Sequence, residues 1–232
     1  KVYKPNIVWA YELYLTNGLN DNIIGNAENK TFLPATKLDP NRFEESFNGE
    51  PLTSAKTSFR FRKVGELGLS YMGGVYNKFQ VDGLVLDKKR RADVIAIDFN
   101  TTLPRFNTFI NGEYAFVNID LPDNYTEQFG RKQHGGFVDI VQPVYTKPLL
   151  GFNKSSINLA LRFEYVDWNK GVFKSTGGNI SDELFSISPA LSWRPVPQTV
   201  FRFNYTHSRQ KDLLGNPPSK TGALQFGFST YF

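Results

Sequence analysis

Few residues in this chain could do covalent chemistry. There is no cysteine, one methionine and two histidines, which removes thiolate nucleophiles, disulfides and thiolate zinc sites and leaves oxygen and nitrogen groups. His134 and His207 lie far apart, so a zinc ion held by several imidazoles is not expected; the reading assigns no metal, no cofactor and no catalytic residue. The one grouping that invites nucleophilic catalysis is His207, Ser208 and Asp212. A serine mechanism needs the imidazole within hydrogen-bond reach of the hydroxyl. Adjacent strand residues point to opposite faces, so His207 and Ser208 are badly placed for each other. His134, beside Gly135 and Gly136, reads as a rim residue rather than a base. No glycine-rich phosphate loop, close carboxylate pair or acidic calcium loop is present, and an enzyme is not expected.

What remains is fixed charge. Lys56, Arg60, Arg62, Arg162, Arg194 and Arg202, with Glu12, Asp98, Glu113, Asp139 and Glu164, fall on one phase of alternating segments. Facing a lumen, such charges select ions by sign, and the arginine fork suits phosphate or carboxylate. Six bases against five acids is nearly balanced, so any anion preference is weak. Each residue has an alternative role, pairing across neighbouring strands to stiffen a wall; Arg162 and Glu164, two apart, could partner loosely.

Charges on one phase need strands to hold them there. Period-two alternation dominates the sequence and marks ten segments, each close to the ~9–11 residues of a tilted membrane-spanning strand. In the first, Ile7, Trp9, Tyr11, Leu13 and Leu15 oppose Val8, Ala10, Glu12, Tyr14 and Thr16. In the seventh, Ile157, Leu159, Leu161, Phe163 and Tyr165 oppose Asn158, Ala160, Arg162 and Glu164. The ninth and tenth set Phe201, Phe203 and Tyr205, then Leu224, Phe226, Phe228 and Phe232, on the apolar phase. Six less regular segments centre on 56–63, 67–73, 93–100, 107–117, 135–145 and 184–194. Leu159, Leu161, Phe203 and Phe228 are expected outside, away from the charges.

Connection lengths supply a second signal. Long ones over 18–55, 77–91, 118–134, 169–183 and 209–220 alternate with short ones over 64–66, 101–106, 146–154 and 195–198. Long extracellular loops and short periplasmic turns on opposite rims produce this alternation in a membrane barrel. A soluble sandwich or ligand-binding barrel also alternates in hydropathy, but has no reason to sort its loops by length. Loop 18–55 is the longest and folds either inward across a lumen or outward as a lid. Tyr145 and Trp193 towards the short turns, and Tyr165, Trp168 and Tyr205 towards the long loops, read as interfacial girdles.

Composition agrees. The 232 residues, 40% hydrophobic and 15% aromatic, are too structured for disorder and read as one domain over 1–232. The longest uninterrupted apolar run, Ile7 to Tyr11, is far short of the ~20 residues of a spanning helix. A net charge of +5 is mild, and the one dense basic run, Lys88-Lys89-Arg90-Arg91, reads as a solvated loop, so no nucleic-acid partner is expected. The sequence opens at Lys1 without a charged-then-apolar leader, which is read as a removed signal or a fragment.

Several stretches then resemble a known family. The final residues GALQFGFSTYF, with Phe226, Phe228 and Phe232 in phase, resemble the carboxy-terminal strand by which outer-membrane proteins reach the barrel assembly machinery. WAYELYLTNGL (Trp9 to Leu19), LGLSYMGG (Leu67 to Gly74), NGEYAFV (Asn111 to Val117), LRFEYVDWN (Leu161 to Asn169) and WRPVPQTVFRFNYTHS (Trp193 to Ser208) are together similar to the phosphate-selective-porin-like outer-membrane proteins of Bacteroidetes. The resemblance implies an all-β, transmembrane, antiparallel up-and-down barrel, with these ten strands as the carboxy-terminal part of a sixteen-stranded porin or, alternatively, a smaller ten-strand relative. It also implies the outer membrane of a Gram-negative bacterium, contact with its lipid and lipopolysaccharide, and a homotrimer. The implied function is a water-filled channel for passive diffusion of small hydrophilic solutes or ions. A barrel scaffold within a larger envelope complex is the alternative, and an outer-membrane hydrolase a lesser one. The family's phosphate-binding basic ladder has no clear match, so no binding residue is carried over.

Overall fold

The computed structural model describes residues 6–28, 30–38, 47–62, 64–124, 130–173 and 175–231. Alternating apolar and polar residues favour extended backbone because one face of a pleated strand then collects the apolar set. The strands are β1 (Ile7–Thr16), β2 (Leu52–Phe61), β3 (Gly65–Val75), β4 (Gln80–Val81), β5 (Leu84–Val85), β6 (Arg91–Leu103), β7 (Thr108–Ile119), β8 (Lys132–Tyr145), β9 (Ser156–Val172), β10 (Asn179–Ile180), β11 (Glu183–Arg194), β12 (Thr199–Gln210) and β13 (Ser219–Thr230). Ten of them form one antiparallel sheet in the order β1-β2-β3-β6-β7-β8-β9-β11-β12-β13. Each strand pairs with its neighbour in sequence, an up-and-down meander. The short β10 adds to β9, and β4–β5 is a separate small hairpin.

All ten expected segments are strands, and the connections do alternate in length. β2–β3, β6–β7, β8–β9 and β11–β12 are joined by short turns on one rim, and the long loops lie on the other. Asn107, with φ +53°, and Gly65, with φ +148°, supply the left-handed or extended-positive backbone that two short turns require. Among the described residues β1 pairs only with β2 and β13 only with β12, so the sheet has two open edges.

Register sorts the side chains cleanly, because directly opposed residues of an antiparallel pair share a face. One row of the apolar face runs Trp9, Phe59, Leu67, Phe99, Gly112, Val138, Phe163 and Ile187. One row of the polar face runs Arg60, Glu66, Asn100, Asn111, Asp139, Arg162 and Ser188. Burial follows the same division. Trp9 is 62% and Phe226 73% exposed on the apolar face, whereas Ser58 at 7% and Ser186 at 3% are buried on the polar one. Along the middle of the sheet the large hydrophobic side chains of the apolar face are therefore exposed, while small polar ones such as Ser58 and Ser186 are buried.

The buried apolar cluster sits at the long-loop rim. Leu19 and Ile23 of the loop after β1 pack with Tyr76, Ala92, Ile119 and Leu121, and Leu33, Leu52 and Val117 pack against them. Two short 3-10 turns, Asp21–Ile23 and Leu33–Leu38, shape that loop, and the Asn20 side chain accepts a hydrogen bond from Asn22 N to start the first. Asn26 Nδ2 donates to the carbonyls of Asn22, Ile23 and Lys30, fixing the loop by its own backbone.

Candidate functional site

All the strand-borne charges predicted to share a face do so. Lys56, Arg60, Glu12, Asp98, Glu113, Asp139, Arg162, Glu164, Arg194 and Arg202 carry the polar-face register, and Arg62 follows in the turn after β2, its backbone N–H donating to Asn6 O. Leu159, Leu161, Phe203 and Phe228 carry the opposite register, with Phe226. Phe232 lies outside the described residues.

Half of the basic set is neutralised locally. Lys56 Nζ reaches Asp98 Oδ2 at 2.9 Å, passing over β3 at Gly68. A Cβ on Gly68 would stand 2.4 Å from that carboxylate oxygen, so only glycine leaves room for the bridge. Arg60 pairs with Glu66 at 2.9 Å. Arg162 grips Asp139 through Nε at 2.8 Å and Nη2 at 3.1 Å, the strong two-point geometry. Its guanidinium lies 4.3 Å from the Phe137 ring centroid. The loose partnership of Arg162 with Glu164 is not made; Asp139, directly across the ladder, takes the arginine instead.

The rest make no ion pair with a described residue, and they separate by height. Arg62, Arg194 and Arg202 stand towards the short-turn rim, Arg194 Nη1 donating to Pro197 O at 3.2 Å. Glu12, Glu113 and Glu164 stand at mid-strand. The Tyr14 hydroxyl donates to Glu12 at 3.2 Å, and Glu113 faces Asp98 across the ladder. Beyond β9 the polar face keeps Arg194 and Arg202 towards the short turns and carries neutral pairs above them: Ser186 with Ser208 at 2.9 Å and Ser188 with Thr206 at 2.9 Å, then Asn204 Nδ2 donating to Gln225 at 2.7 Å.

The loop after β1 folds onto this same face. Ala92, Val117, Ile119 and Gln133, which it covers, share the register of Asp98 and Glu113. Gln133 Nε2 donates to Thr31 O at 2.8 Å, and Lys30 Nζ meets Asp182 Oδ2 at 2.9 Å on the far side of the sheet. The Trp168 ring takes Lys30 at 5.3 Å, so Trp168 serves the loop and not a girdle, and Tyr205 stands mid-strand opposite Leu224. Sequence reasoning missed this seat, and its signal was the apolar run Ala92, Val94, Val117 and Ile119 on the polar phase. Two aromatic clusters lie on the apolar face: Trp193 with Phe201 and Phe228 near the short turns, and Tyr114 with Phe116, His134 and Tyr165 running from mid-strand towards the long loops.

The trio considered for nucleophilic chemistry is dispersed. His207 lies on the apolar face opposite Ile187, Ser208 on the polar face against Ser186, and Asp212 in the following turn, where it accepts from Asn216 and Leu214. These hydrogen bonds hold the Asp212 carboxyl below its ordinary range. The basic run is likewise tied down: Lys88 to Asp120, Lys89 to Glu50, Arg90 to Asp87 and Arg91 to Asp93. Arg90 is buried and also donates to Leu121 O at 3.0 Å; its hydrogen bond holds the Asp87 carboxyl low, and Asp87 in turn raises the guanidinium. No helix among the described residues is long and apolar enough to cross a membrane, and no group of three or more metal-ligating side chains is found among them. No protein-family model matches the sequence, and no match is found among curated proteins or solved structures.

Proposed function

We propose that this sheet is the wall of an outer-membrane, porin-like β-barrel whose polar face lines a water-filled path for small hydrophilic solutes or ions. The observation that carries the reading is the separation of faces: every strand-borne charge predicted for the lumen lies on one side and a continuous sheet of exposed Phe, Leu, Ile, Trp and Tyr on the other. Exposed apolar surface of that extent belongs against lipid or another protein. Strands of 10 to 17 residues are long enough to span. An open edge in hydrocarbon leaves backbone groups unpaired at a cost of several kcal/mol each, so the reading requires the edges β1 and β13 to close, either on each other in a ten-strand barrel or through further strands, as the sixteen-stranded resemblance implies. The covering loop after β1 then narrows the path from the long-loop side.

One observation favours a second reading. A loop fastened to β8 through Gln133 and to the β10–β11 connection through Asp182 could close the lumen, leaving a scaffold subunit of an envelope complex. The test is single-channel recording of the full protein in planar bilayers. Steady open channels support the porin; inserted but silent barrels support the scaffold, and failure to insert overturns both.

A further inference from the structure

Two directly opposed lysines stand where the apolar face ends. Lys132 opens β8 and Lys170 lies near the long-loop end of β9; they are ladder partners, both exposed, and Asn118 continues their row on β7. Like charges placed directly opposite destabilise a strand pair, and neither lysine makes an ion pair with a described residue. The arrangement recurs on the same face and at the same rim, where Arg209 of β12 opposes Lys220 of β13, again without an ion pair to a described residue. The nearby acids are already engaged: Asp93 by Arg91 and the Tyr71 hydroxyl, Glu183 by Lys211, and Asp167 lies 3.7 Å from His134.

Beneath the lysine pair the surface is hollow. A cleft of about 550 Å³ is lined by Lys132, Lys170, Asn118, His134 and Phe116, together with Asp93, whose carboxylate is taken up by Arg91. A second, of about 490 Å³, continues down the apolar face past Ile97, Phe99, Val138 and Phe163, sharing Tyr114 and Phe116 with the first. Gly136 lies between Tyr114 and Tyr165 in its row, and a Cβ there would stand 2.7 Å from the Tyr114 ring, so the glycine lets that ring pack over β8. A cationic mouth above an apolar channel matches an anionic headgroup with its acyl chain attached.

We infer that the Lys132–Lys170 cleft binds the phosphate of a phosphorylated acyl lipid, its chain lying over Phe116, Ile97 and Phe99. The inference rests on the apolar face meeting lipid, as proposed above. The phosphate supplies the charge that the opposed lysines lack, and the Asn118 amide and the Tyr114–His134 hydrogen bond, 2.6 Å long, border the site.

The test uses the purified protein in neutral detergent with dimyristoylphosphatidic acid as probe, retained lipid being read by native mass spectrometry. Dimyristoylphosphatidylcholine and inorganic phosphate serve as competitors. K132Q/K170Q is expected to lower retention about tenfold, since two charge-assisted contacts are lost, while the charge-matched K88Q/K89Q changes it less than about twofold. Neither competitor should displace the probe. Equal loss in both variants, or no loss in K132Q/K170Q, overturns the inference. Displacement by inorganic phosphate at equal concentration overturns the lipid assignment in favour of a free-anion site. Flotation of the wild-type protein with phosphatidylcholine vesicles is measured alongside. Failure to float sinks the membrane reading itself; flotation without lysine-dependent retention sinks only the lipid site.

Discussion

Arg162 and Arg202 carry the same charge on the same face and differ in their surroundings. Arg162 is held by Asp139, whereas Arg202 faces Gly227 and Ser192 without an acid. If the polar face lines a conducting path, the double substitution Arg162→Gln with Asp139→Asn, which removes both signs together, leaves the reversal potential in a salt gradient unchanged. Arg202→Gln shifts it towards cations. Equal shifts from the two would show that pairing does not set the local field. Asp87 provides a prediction about pH. Its carboxyl is held low by Arg90, so the unfolded chain takes up the proton more readily than the folded one. The stabilisation is complete above the ordinary carboxylate value of about 3.9 and is lost as pH falls through the lower folded value. Thermal unfolding should therefore show Asp87→Asn less stable than wild type at neutral pH, the gap closing in acid. Which residues share a face was legible from alternation alone. Which acid each base meets was not, because Asp139 reaches Arg162 only through the β8–β9 register, which alternation within each strand does not fix.

At the scale of elements, the strands were legible and the covering loop was not. Leu159, Phe203 and their neighbours announce β9 and β12 by period two, but β10 and the β4–β5 hairpin, two residues per strand, are too short to carry a period. The loop's seat depends on Leu19 and Ile23 meeting Ala92 and Ile119, a contact between segments with no shared pattern. It also explains why β6 and β7 alternate poorly: their polar phase turns apolar where the loop lies on it. Two predictions follow from this packing. Lys30→Ala removes the tie to Asp182 and should speed proteolysis within residues 17–38 and, if the polar face lines a conducting path, raise single-channel conductance; unchanged values would mean the apolar contacts alone hold the loop. Gly68→Val should lower thermal stability by about 1–3 kcal/mol, because the new side chain displaces Asp98 from Lys56, and a neutral result would show that the bridge moves without cost.

For the whole molecule, the two faces make opposite demands on solvent, and the absence of native cysteine makes them simple to distinguish. Single cysteines at Leu159 and Phe203 should resist a water-soluble maleimide in the membrane, while cysteines at Ser188 and Thr206 react; the reverse pattern would turn the sheet inside out. The meander also has a consequence in time. Nearly every strand contact joins chain neighbours, so hairpins can form one after another as the chain is supplied, with little loop-closure entropy at each step. The bond from Gln133 to Thr31 spans 102 residues and that from Lys30 to Asp182 spans 152. The loop after β1 is made early yet cannot be fastened until β8 and then the β10–β11 connection exist, so its seat on the polar face is completed only late in folding.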